Sequence, residues 1–233
     1  MSEIASPFAG ATIVFDLDGT LVETAPDLVG TLNVLLTREG IAPLPLAQAR
    51  NLIGQGAKAL LRRGFEAAGA PLPPEKLDAL FVDFLSHYLE HIADESRPFD
   101  GVLEAMAAME AEGARMAVCT NKRTDLSVAL LERLGIAGRF AAIVGGDAVS
   151  AQKPAAIHLT ETIARAGGRA DRAVMIGDSI SDAGAARAAG VPLVLVSFGY
   201  TDTPAAELGA DELIHHFDDL TAACRRLLSP AAA

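Results

Sequence analysis

The sequence predicts an α/β protein in which a segment made only of helices is inserted into a parallel sheet covered by helices on both faces. Three observations support this. A short apolar strand lies at Ala11–Phe15, residues 22–98 show helical periodicity without a convincing strand, and the remainder alternates short apolar strands with helices. With 51% hydrophobic residues in a chain of 233, there is enough apolar surface for a sizeable core.

The first strand ends in a pair of carboxylates. The apolar, β-branched run Ala11–Phe15 is followed directly by Asp16-x-Asp18-Gly19-Thr20. Side chains two residues apart in an extended chain point to the same side, so Asp16 and Asp18 face one small volume. Like charges held close together are costly unless a cation binds between them, and Mg²⁺, which prefers oxygen ligands, is the simplest remedy.

The helical insertion covers residues 22–98 and has the size of a small domain. Ala25-Pro26-Asp27 is a typical helix start, and Gly54-Gln55-Gly56 opens a further helix. A stripe of apolar residues between positions 77 and 92 follows helical spacing. We therefore expect two domains, a core of residues 1–21 and 99–233 and a helical domain of residues 22–98, with hinges near Val22 and Pro98.

The rest of the chain alternates strands with helices. Apolar runs predict strands at 116–119, 141–144, 173–176 and 193–196, with a small edge strand at 212–214. Helices are expected at about 102–112, 126–134 and 155–166, in a short segment that ends at Gly190, and at the C-terminus. This order is typical of a parallel sheet, which binds ligands at the carboxyl ends of its strands.

Polar residues follow the predicted strand ends, and together they suit phosphoryl transfer. Besides the first pair of aspartates, these residues are Thr120, Asn121, Lys153, Asp178 and Asp182. The side chains of Asp16, Asp18 and Asp178 offer oxygens to one Mg²⁺. Thr120 can hold phosphoryl oxygens, and Lys153 adds a positive charge.

In this scheme Asp16 is the nucleophile and Asp18 is the general acid and base. Asp182 either supports the site from a helix N-terminus or serves as an alternate ligand, and Thr20 is expected beside the ligands. Each residue also has an ordinary structural explanation when taken alone: Lys153 as a solvated loop residue, and Thr120 as a cap of its strand.

Four separated signatures resemble the phosphatase branch of the haloacid dehalogenase superfamily. They are Asp16-x-Asp18-Gly19-Thr20, Thr120, Lys153-Pro154 and Gly177-Asp178-x3-Asp182. The resemblance spans nearly the whole chain and implies a Rossmann-like core, a helical cap domain and a Mg²⁺ requirement. It further implies that Asp16 is the nucleophile, that Asp18 is the acid and base, and that Asp16, the Asp18 backbone carbonyl and Asp178 contact the metal.

Within that branch the chain is most similar to enzymes that hydrolyse 2-phosphoglycolate. The supporting stretches are Phe15–Val22, Ile53–Ala57, Val118–Lys122 and Phe198–Tyr200. One departure is the absence of a second proline soon after Pro154.

The cap would determine the substrate. We expect Gly54, Gln55 and Gly56, at the start of a helix, to bind an anionic group through backbone N–H groups. Lys58, Arg62 and Arg63 follow, and some of them are merely solvated. A small substrate with a phosphate and a carboxylate fits this arrangement, whereas a sugar phosphate or pyridoxal phosphate fits the core equally well.

Two further readings remain open at this point. A phosphomutase shares the core and differs in whether water or a sugar hydroxyl receives the phosphoryl group. A receiver-like module that responds to phosphorylation without turnover also combines aspartates, a threonine and a lysine on a parallel sheet. Such a module needs neither Asp18 nor an inserted cap. Steady release of inorganic phosphate separates a phosphatase from both.

Charge and cysteine content indicate which classes of partner and which cell compartment to expect. The net charge of −11 argues against nucleic acid and against an anionic membrane surface. Met1–Ile4 lacks the basic start of a signal peptide, and no apolar stretch is long enough to span a bilayer. Cys119 and Cys224 are expected to be reduced thiols. We therefore expect a cytoplasmic protein, monomeric or homodimeric, that acts on a small phosphomonoester.

Overall fold

The computed structural model describes residues 6–229, so Met1–Ile4 lies outside the described residues. Within that range the chain forms eight strands. They are β1 (Thr12–Phe15), β2 (Val22–Glu23), β3 (Arg97–Pro98), β4 (Arg115–Thr120), β5 (Phe140–Gly145), β6 (Ala173–Gly177), β7 (Leu193–Val196) and β8 (Glu212–Ile214).

Six of the strands form one sheet in the order β5-β4-β1-β6-β7-β8, and every pairing in it is parallel. Strand β1 lies near the middle, between β4 and β6, and all four of its residues are buried. This position explains why its sequence is apolar without alternation, because both faces of a central parallel strand are covered. The predicted α/β fold class is confirmed.

The helices surround this sheet or lie in the insertion. They are α1 (Ala25–Arg38), α2 (Leu46–Ala49), α3 (Ala57–Ala67), α4 (Pro74–Glu90), α5 (Val102–Ala111), α6 (Thr124–Arg133), α7 (Ala156–Arg165), α8 (Ile180–Ala189) and α9 (Leu220–Leu228). Chain 50–56 separates α2 from α3, since Gly54 and Gly56 take backbone φ values of 109° and 85° that a helix does not allow. None of the helices in residues 6–229 has both the length and the apolar composition to cross a bilayer.

One sequence expectation was wrong: the insertion is not free of strands at its ends. Val22–Glu23 and Arg97–Pro98 pair antiparallel as a two-stranded ribbon, β2 with β3. Strands of two residues carry no periodic signal, so the sequence pattern missed them. The ribbon lies where the chain leaves the sheet and returns to it, and we propose it as the neck between the two expected domains.

The sheet separates two apolar layers, and alternate side chains of β1 enter different layers. Ile13 and Phe15 join the cluster that contains residues of α5, α6 and α9, whereas Val14 joins the cluster that contains residues of α7 and α8. The first cluster continues into α1, α3 and α4, so the helical insertion is packed onto the same core. Cys119 and Cys224 are both buried and unpaired by any disulfide.

Candidate active site

The ends of three neighbouring strands bring the predicted site residues together. Asp16 follows β1 directly, Thr120 is the last residue of β4, and Asp178 follows β6 directly. Since β4, β1 and β6 are adjacent and parallel, their carboxyl ends meet at one edge of the sheet. The backbone N–H of Asp16 donates to the carbonyl of Ile176 at 2.9 Å, which extends the β1–β6 pairing into the site.

Three carboxyl groups gather at this edge. Asp16, Asp178 and Asp182 each place a carboxylate oxygen within 4.8 Å of the others, and all three residues are buried. Burial raises the pKa of Asp16 to about 7, against the lowering effect of Lys153. Burial and the neighbouring carboxylates likewise raise the pKa of Asp178 well above its usual range.

Lys153 is the cation of this group. Its Nζ lies 2.9 Å from Asp16 Oδ1 and 2.6 Å from Asp182 Oδ1, and its side chain is 1% exposed. Burial alone would lower the pKa of Lys153, but the two carboxylates overcome it and raise that pKa, so the ammonium stays charged. We call Asp16, Lys153, Asp178 and Asp182 the ionic cluster. The solvated-loop explanation for Lys153 is wrong, because its side chain is buried against two acids.

The ionic cluster is fixed by hydrogen bonds from its surroundings. Asp182 Oδ2 accepts from the backbone N–H of Ser179 at 3.0 Å and from its hydroxyl at 2.7 Å, in a capping box at the start of α8. Asp178 Oδ1 accepts from the Thr20 hydroxyl at 2.7 Å, and its Oδ2 accepts from the Tyr200 N–H at 2.6 Å. Thr20 thus lies beside the Asp178 carboxylate.

The donor set fits a hard divalent cation. Three carboxylates face a single ammonium, which leaves excess negative charge in a buried volume, and oxygen ligands are those that Mg²⁺ or Ca²⁺ prefers. Both oxygens of Asp182 are already engaged by Lys153 and the α8 cap. Asp178 accepts one hydrogen bond on each oxygen and retains lone pairs on both.

Asp18 is positioned separately from the ionic cluster. Its Oδ1 accepts from the Thr24 hydroxyl at 2.8 Å and from Lys122 Nζ at 3.0 Å. The residue that follows must be glycine here, since Gly19 has a φ of 86° and a Cβ on it would lie 2.7 Å from the Tyr200 ring. The turn at Gly19 therefore lets the Asp18 side chain leave the strand end and reach Lys122.

Thr120 and Asn121 connect the core loops. The Thr120 hydroxyl accepts from the backbone N–H of Lys122 at 3.2 Å. Asn121 Nδ2 donates to the carbonyls of Gly54 at 3.3 Å and Lys153 at 3.2 Å. Its Oδ1 is buried and has no hydrogen-bond partner among residues 6–229. Asn121 therefore ties the helical insertion to the loop that carries the cluster lysine.

A cavity of about 350 Å³ opens above these residues. From the core it is lined by Asp16, Asp18, Thr120, Asn121 and Lys122, among others, and from the insertion by Gly54, Gln55, Gly56 and Lys58. Apolar side chains of the insertion also line it, and we give the name cap wall to four of them: Ile53, Leu60, Phe81 and Phe84.

The three basic residues after the glycine loop differ in position. Lys58 lines the cavity and forms an ion pair with Asp78 at 2.6 Å. Arg63 instead pairs with Asp202 at 2.8 Å, and neither it nor Arg62 is among the lining residues. Of these three, Lys58 alone is thus in reach of a ligand in the cavity.

Sequence reasoning assigned no role to two residues of the cavity. Lys122 is buried, and its Nζ donates to Asp18 and to the Tyr88 hydroxyl, the latter at 2.9 Å. Tyr88 lies on α4 within the apolar stripe, and the sequence pattern there did not predict a polar contact of its hydroxyl. The adjacency of Lys122 to Thr120 and Asn121 at a strand end was the available signal for the lysine.

Comparison with known proteins agrees with this fold. The chain matches the family model described as haloacid dehalogenase-like hydrolase over residues 13–196. It is 54% identical to the phosphoglycolate phosphatase of Caulobacter vibrioides over 96% of this chain and 94% of that protein. It is 45% identical to the phosphoglycolate phosphatase of Agrobacterium fabrum over 94% and 95% of the two chains. The crystal structure of a predicted phosphoglycolate phosphatase from Haemophilus somnus 129PT has a TM-score of 0.84 and 29% identity, covering 92% of this chain and 97% of that one.

Proposed function

This chain belongs to the haloacid dehalogenase-like hydrolase family, and from that premise we propose that it is a Mg²⁺-dependent phosphatase that hydrolyses 2-phosphoglycolate to glycolate and phosphate. The family resemblance stated from the sequence is confirmed. The observation that carries the proposal is the placement of Asp16. Its carboxylate lines the cavity beside the Lys153 ammonium and the Asp178 carboxylate, while Asp18 lines the same cavity.

In the first half of the proposed reaction, an Asp16 carboxylate oxygen attacks phosphorus and the bond from phosphorus to the glycolate oxygen breaks. Asp18, in its protonated form, gives its proton to that departing oxygen. The products are free glycolate and a phosphoryl group on Asp16. The contact with Lys153 at 2.9 Å supports this role, because the ammonium reduces repulsion between the carboxylate and an anionic phosphoryl group.

In the second half, water replaces the carboxylate. The Asp18 carboxylate takes a proton from a water molecule, the water oxygen bonds to phosphorus, and the bond from phosphorus to Asp16 breaks. Inorganic phosphate leaves, and both aspartates return to their starting forms. The hydrogen bond from Thr24 to Asp18 at 2.8 Å supports this assignment, since it holds the carboxyl group at the cavity.

We propose that Asp16, Asp178 and the Asp18 backbone carbonyl hold the Mg²⁺. When bound, this ion neutralises negative charge on the phosphoryl oxygens. Asp182 is assigned to holding Lys153 and capping α8, because both of its oxygens are engaged there. The Thr120 hydroxyl at the end of β4 and the amides around it are assigned to the phosphoryl oxygens.

The substrate is inferred from the cavity and the relatives. A volume of about 350 Å³ suits a small metabolite, and the curated relatives named above carry the name phosphoglycolate phosphatase. The glycine loop 54–56 at the start of α3 is assigned to substrate binding. We further infer a cytoplasmic protein, monomeric or homodimeric, whose partner is the small substrate rather than nucleic acid or a membrane.

A panel assay tests this proposal. Phosphate release is measured with Mg²⁺ for 2-phosphoglycolate, sugar phosphates and pyridoxal phosphate, and kcat/KM is compared. We expect 2-phosphoglycolate to be preferred and activity to disappear when EDTA removes divalent ions. A preference for a sugar phosphate would overturn the substrate, and stoichiometric phosphorylation without steady phosphate release would overturn the phosphatase in favour of a phosphomutase or a receiver-like module.

A further inference from the structure

Lys122 is a buried lysine for which the proposed reaction has no use. Its side chain is 5% exposed, and it follows β4 on the core side of the cavity. Nζ lies 3.0 and 3.3 Å from the two oxygens of Asp18 and 2.9 Å from the hydroxyl of Tyr88, which belongs to α4. Lys122 therefore lies between the proposed acid and base and a helix of the insertion, at the cavity surface.

The other cations near the cavity are occupied elsewhere. Lys153 contacts two carboxylates of the ionic cluster. Lys58 and Arg123 have side chains that are 52% and 43% exposed, and both form ion pairs with aspartates on the surface. Exposed ion pairs of this kind contribute little, because water screens them. Lys122 is thus the buried cation that lines the cavity on the Asp18 side.

Lys122 and Tyr88 together retain hydrogen-bond capacity. An ammonium has three N–H donors, and Nζ has three acceptors within hydrogen-bond distance, the two oxygens of Asp18 and the Tyr88 hydroxyl. Tyr88 accepts from Lys122, and within residues 6–229 its own hydroxyl proton has no acceptor. Burial raises the pKa of Tyr88 to about 12, so the hydroxyl keeps this proton at neutral pH. The Tyr88 O–H, held in a fixed position beside the positive charge of Lys122, is therefore available to an anion.

The connectivity of the substrate brings its carboxylate to this pair. In 2-phosphoglycolate two bonds separate the oxygen that leaves phosphorus from the carboxyl carbon. If that oxygen receives its proton from Asp18, the carboxylate lies close to the groups that contact Asp18. Leu28 and Phe84 also line the cavity and exclude water from its walls, which strengthens a hydrogen bond between opposite charges.

We propose that Lys122, with the hydroxyl of Tyr88, binds the carboxylate of the substrate and so selects small phosphorylated carboxylic acids over phosphomonoesters that lack the acid. This proposal rests on the proposed function and names the residues that give it its specificity. Because Tyr88 belongs to the insertion and Lys122 to the core, the carboxylate would be held by both parts of the chain.

The test compares two substrates of the same length. 2-Phosphoglycolate and 2-hydroxyethyl phosphate differ only in that a hydroxymethyl group replaces the carboxylate. For Lys122→Met, we expect the ratio of their kcat/KM values to fall by about 10²-fold or more, chiefly through KM for 2-phosphoglycolate. Lys122 also contacts Asp18, but any effect through Asp18 acts on both substrates and cancels in the ratio.

Two further variants keep the test decisive. Lys76→Met removes an ion-paired lysine of the insertion that lies away from the cavity, and it should leave the ratio unchanged. Tyr88→Phe removes one donor, and we expect it to lower the ratio roughly 10-fold. Should Lys122→Met not accumulate as folded protein, Tyr88→Phe decides, and an unchanged ratio there overturns the proposal.

The two proposals fail in different ways. If the natural chain releases phosphate from 2-phosphoglycolate no faster than from other esters, the proposed substrate is wrong and the carboxylate site is wrong with it. If the natural chain prefers 2-phosphoglycolate over 2-hydroxyethyl phosphate but Lys122→Met keeps that preference, the proposed function stands and Lys122 is not the specificity residue.

Discussion

The ionic cluster and the cap wall serve the same cavity but are built in different ways. In the ionic cluster, buried charges are held by one another and by the ends of β1 and β6. In the cap wall, apolar side chains of the insertion cover the opening without hydrogen bonds. The comparison indicates that the chemistry requires charges fixed in advance, because phosphoryl transfer depends on neutralising charge at set positions.

The energetic consequences of substitution differ accordingly. Removing one partner of a buried ion pair leaves an uncompensated charge and typically costs about 3–5 kcal/mol. Shortening an apolar side chain of the wall leaves a cavity that neighbouring side chains partly fill, and the chemistry proposed for Asp16 is untouched. Changes in the ionic cluster should therefore lower kcat, and changes in the insertion should alter stability or KM.

The sharpest test of this difference is Asp16→Asn. An amide cannot attack phosphorus, so we expect turnover of 2-phosphoglycolate to fall by roughly 10⁴-fold or more. The matched control is Asp147→Asn, which neutralises another carboxylate at the same cavity and should keep most of the activity. Steady-state phosphate release measures both variants, and activity of Asp16→Asn close to that of the natural chain would remove Asp16 from the mechanism.

Asp18→Asn should have the next largest effect. The amide keeps a hydrogen bond from Thr24 but cannot move a proton, so kcat is expected to fall by roughly 10²–10⁴-fold. The variant should stay folded, although loss of the carboxylate that pairs with the buried Lys122 ammonium should lower the thermal midpoint of unfolding. A collapse of stability together with the rate would leave the catalytic role of Asp18 unsupported, and thermal unfolding is therefore measured in parallel.

The two regions also differ in how much of them the sequence could predict. Asp16 and Asp178 follow apolar strands directly, and parallel strands bring such residues to one edge whatever the loops do. The site at the sheet edge was therefore predictable from local patterns. The contact of Lys122 with Tyr88 joins a core loop to a helix of the insertion, and no local pattern encodes the packing of those two elements.

The short ribbon shows the same limit at the level of the fold. Pairing of Val22–Glu23 with Arg97–Pro98 depends on how the insertion returns to the sheet, and two residues carry no periodicity. Asp182 shows a further limit of sequence-based prediction. Its spacing alone did not distinguish a residue that supports the site from one that binds the metal. Its hydrogen bonds to Lys153 and Ser179 favour support, and that distinction needs coordinates.

A pair of glycine substitutions compares the regions directly. A Cβ on Gly184 of α8 would lie 2.5 Å from Pro154 Cβ, and a Cβ on Gly64 of α3 would lie 2.5 Å from Leu32 Cδ2. Gly184→Ala should displace the loop that carries Lys153 and lower kcat by roughly 10- to 100-fold. Gly64→Ala should leave kcat near its natural value and cost about 1–3 kcal/mol of stability. Both variants are measured by steady-state kinetics and urea unfolding. Equal losses of kcat would contradict the argued difference between the ionic cluster and the insertion.

The smallest expected effect concerns His158, which supports the ionic cluster from α7. It is fully buried, its Nδ1 accepts from the Lys153 backbone N–H at 3.1 Å, and its Nε2 lies 3.1 Å from the Val144 carbonyl. That carbonyl accepts from Nε2–H, which fixes the neutral tautomer. Burial, assisted by the charge of Lys153, lowers the pKa of His158 to about 4.

The lowered pKa of His158 determines whether the free energy of unfolding rises or falls with pH. In the unfolded chain the pKa of His158 is about 6.5. Above this pH neither the folded protein nor the unfolded chain binds the proton, so the full contribution of His158 to the free energy of unfolding is present. Between that value and about 4 the unfolded chain binds the proton and the folded protein does not, so the free energy of unfolding decreases as pH falls. By pH 5 the loss should amount to about 1–2 kcal/mol from this residue.

His158→Gln removes the titrating ring and should abolish that part of the pH dependence. Urea unfolding at pH 7.5 and pH 5 is compared for the natural chain, for His158→Gln and for His215→Gln, which replaces an exposed histidine. The loss between the two pH values should be smaller by about 1–2 kcal/mol in His158→Gln and unchanged in His215→Gln. Because the backbone N–H of Lys153 loses its fixed acceptor, Nδ1 of the His158 ring, kcat should fall a few-fold while KM stays constant. If the free energy of unfolding changes equally with pH in all three proteins, protonation of His158 does not affect the stability of the fold around the ionic cluster.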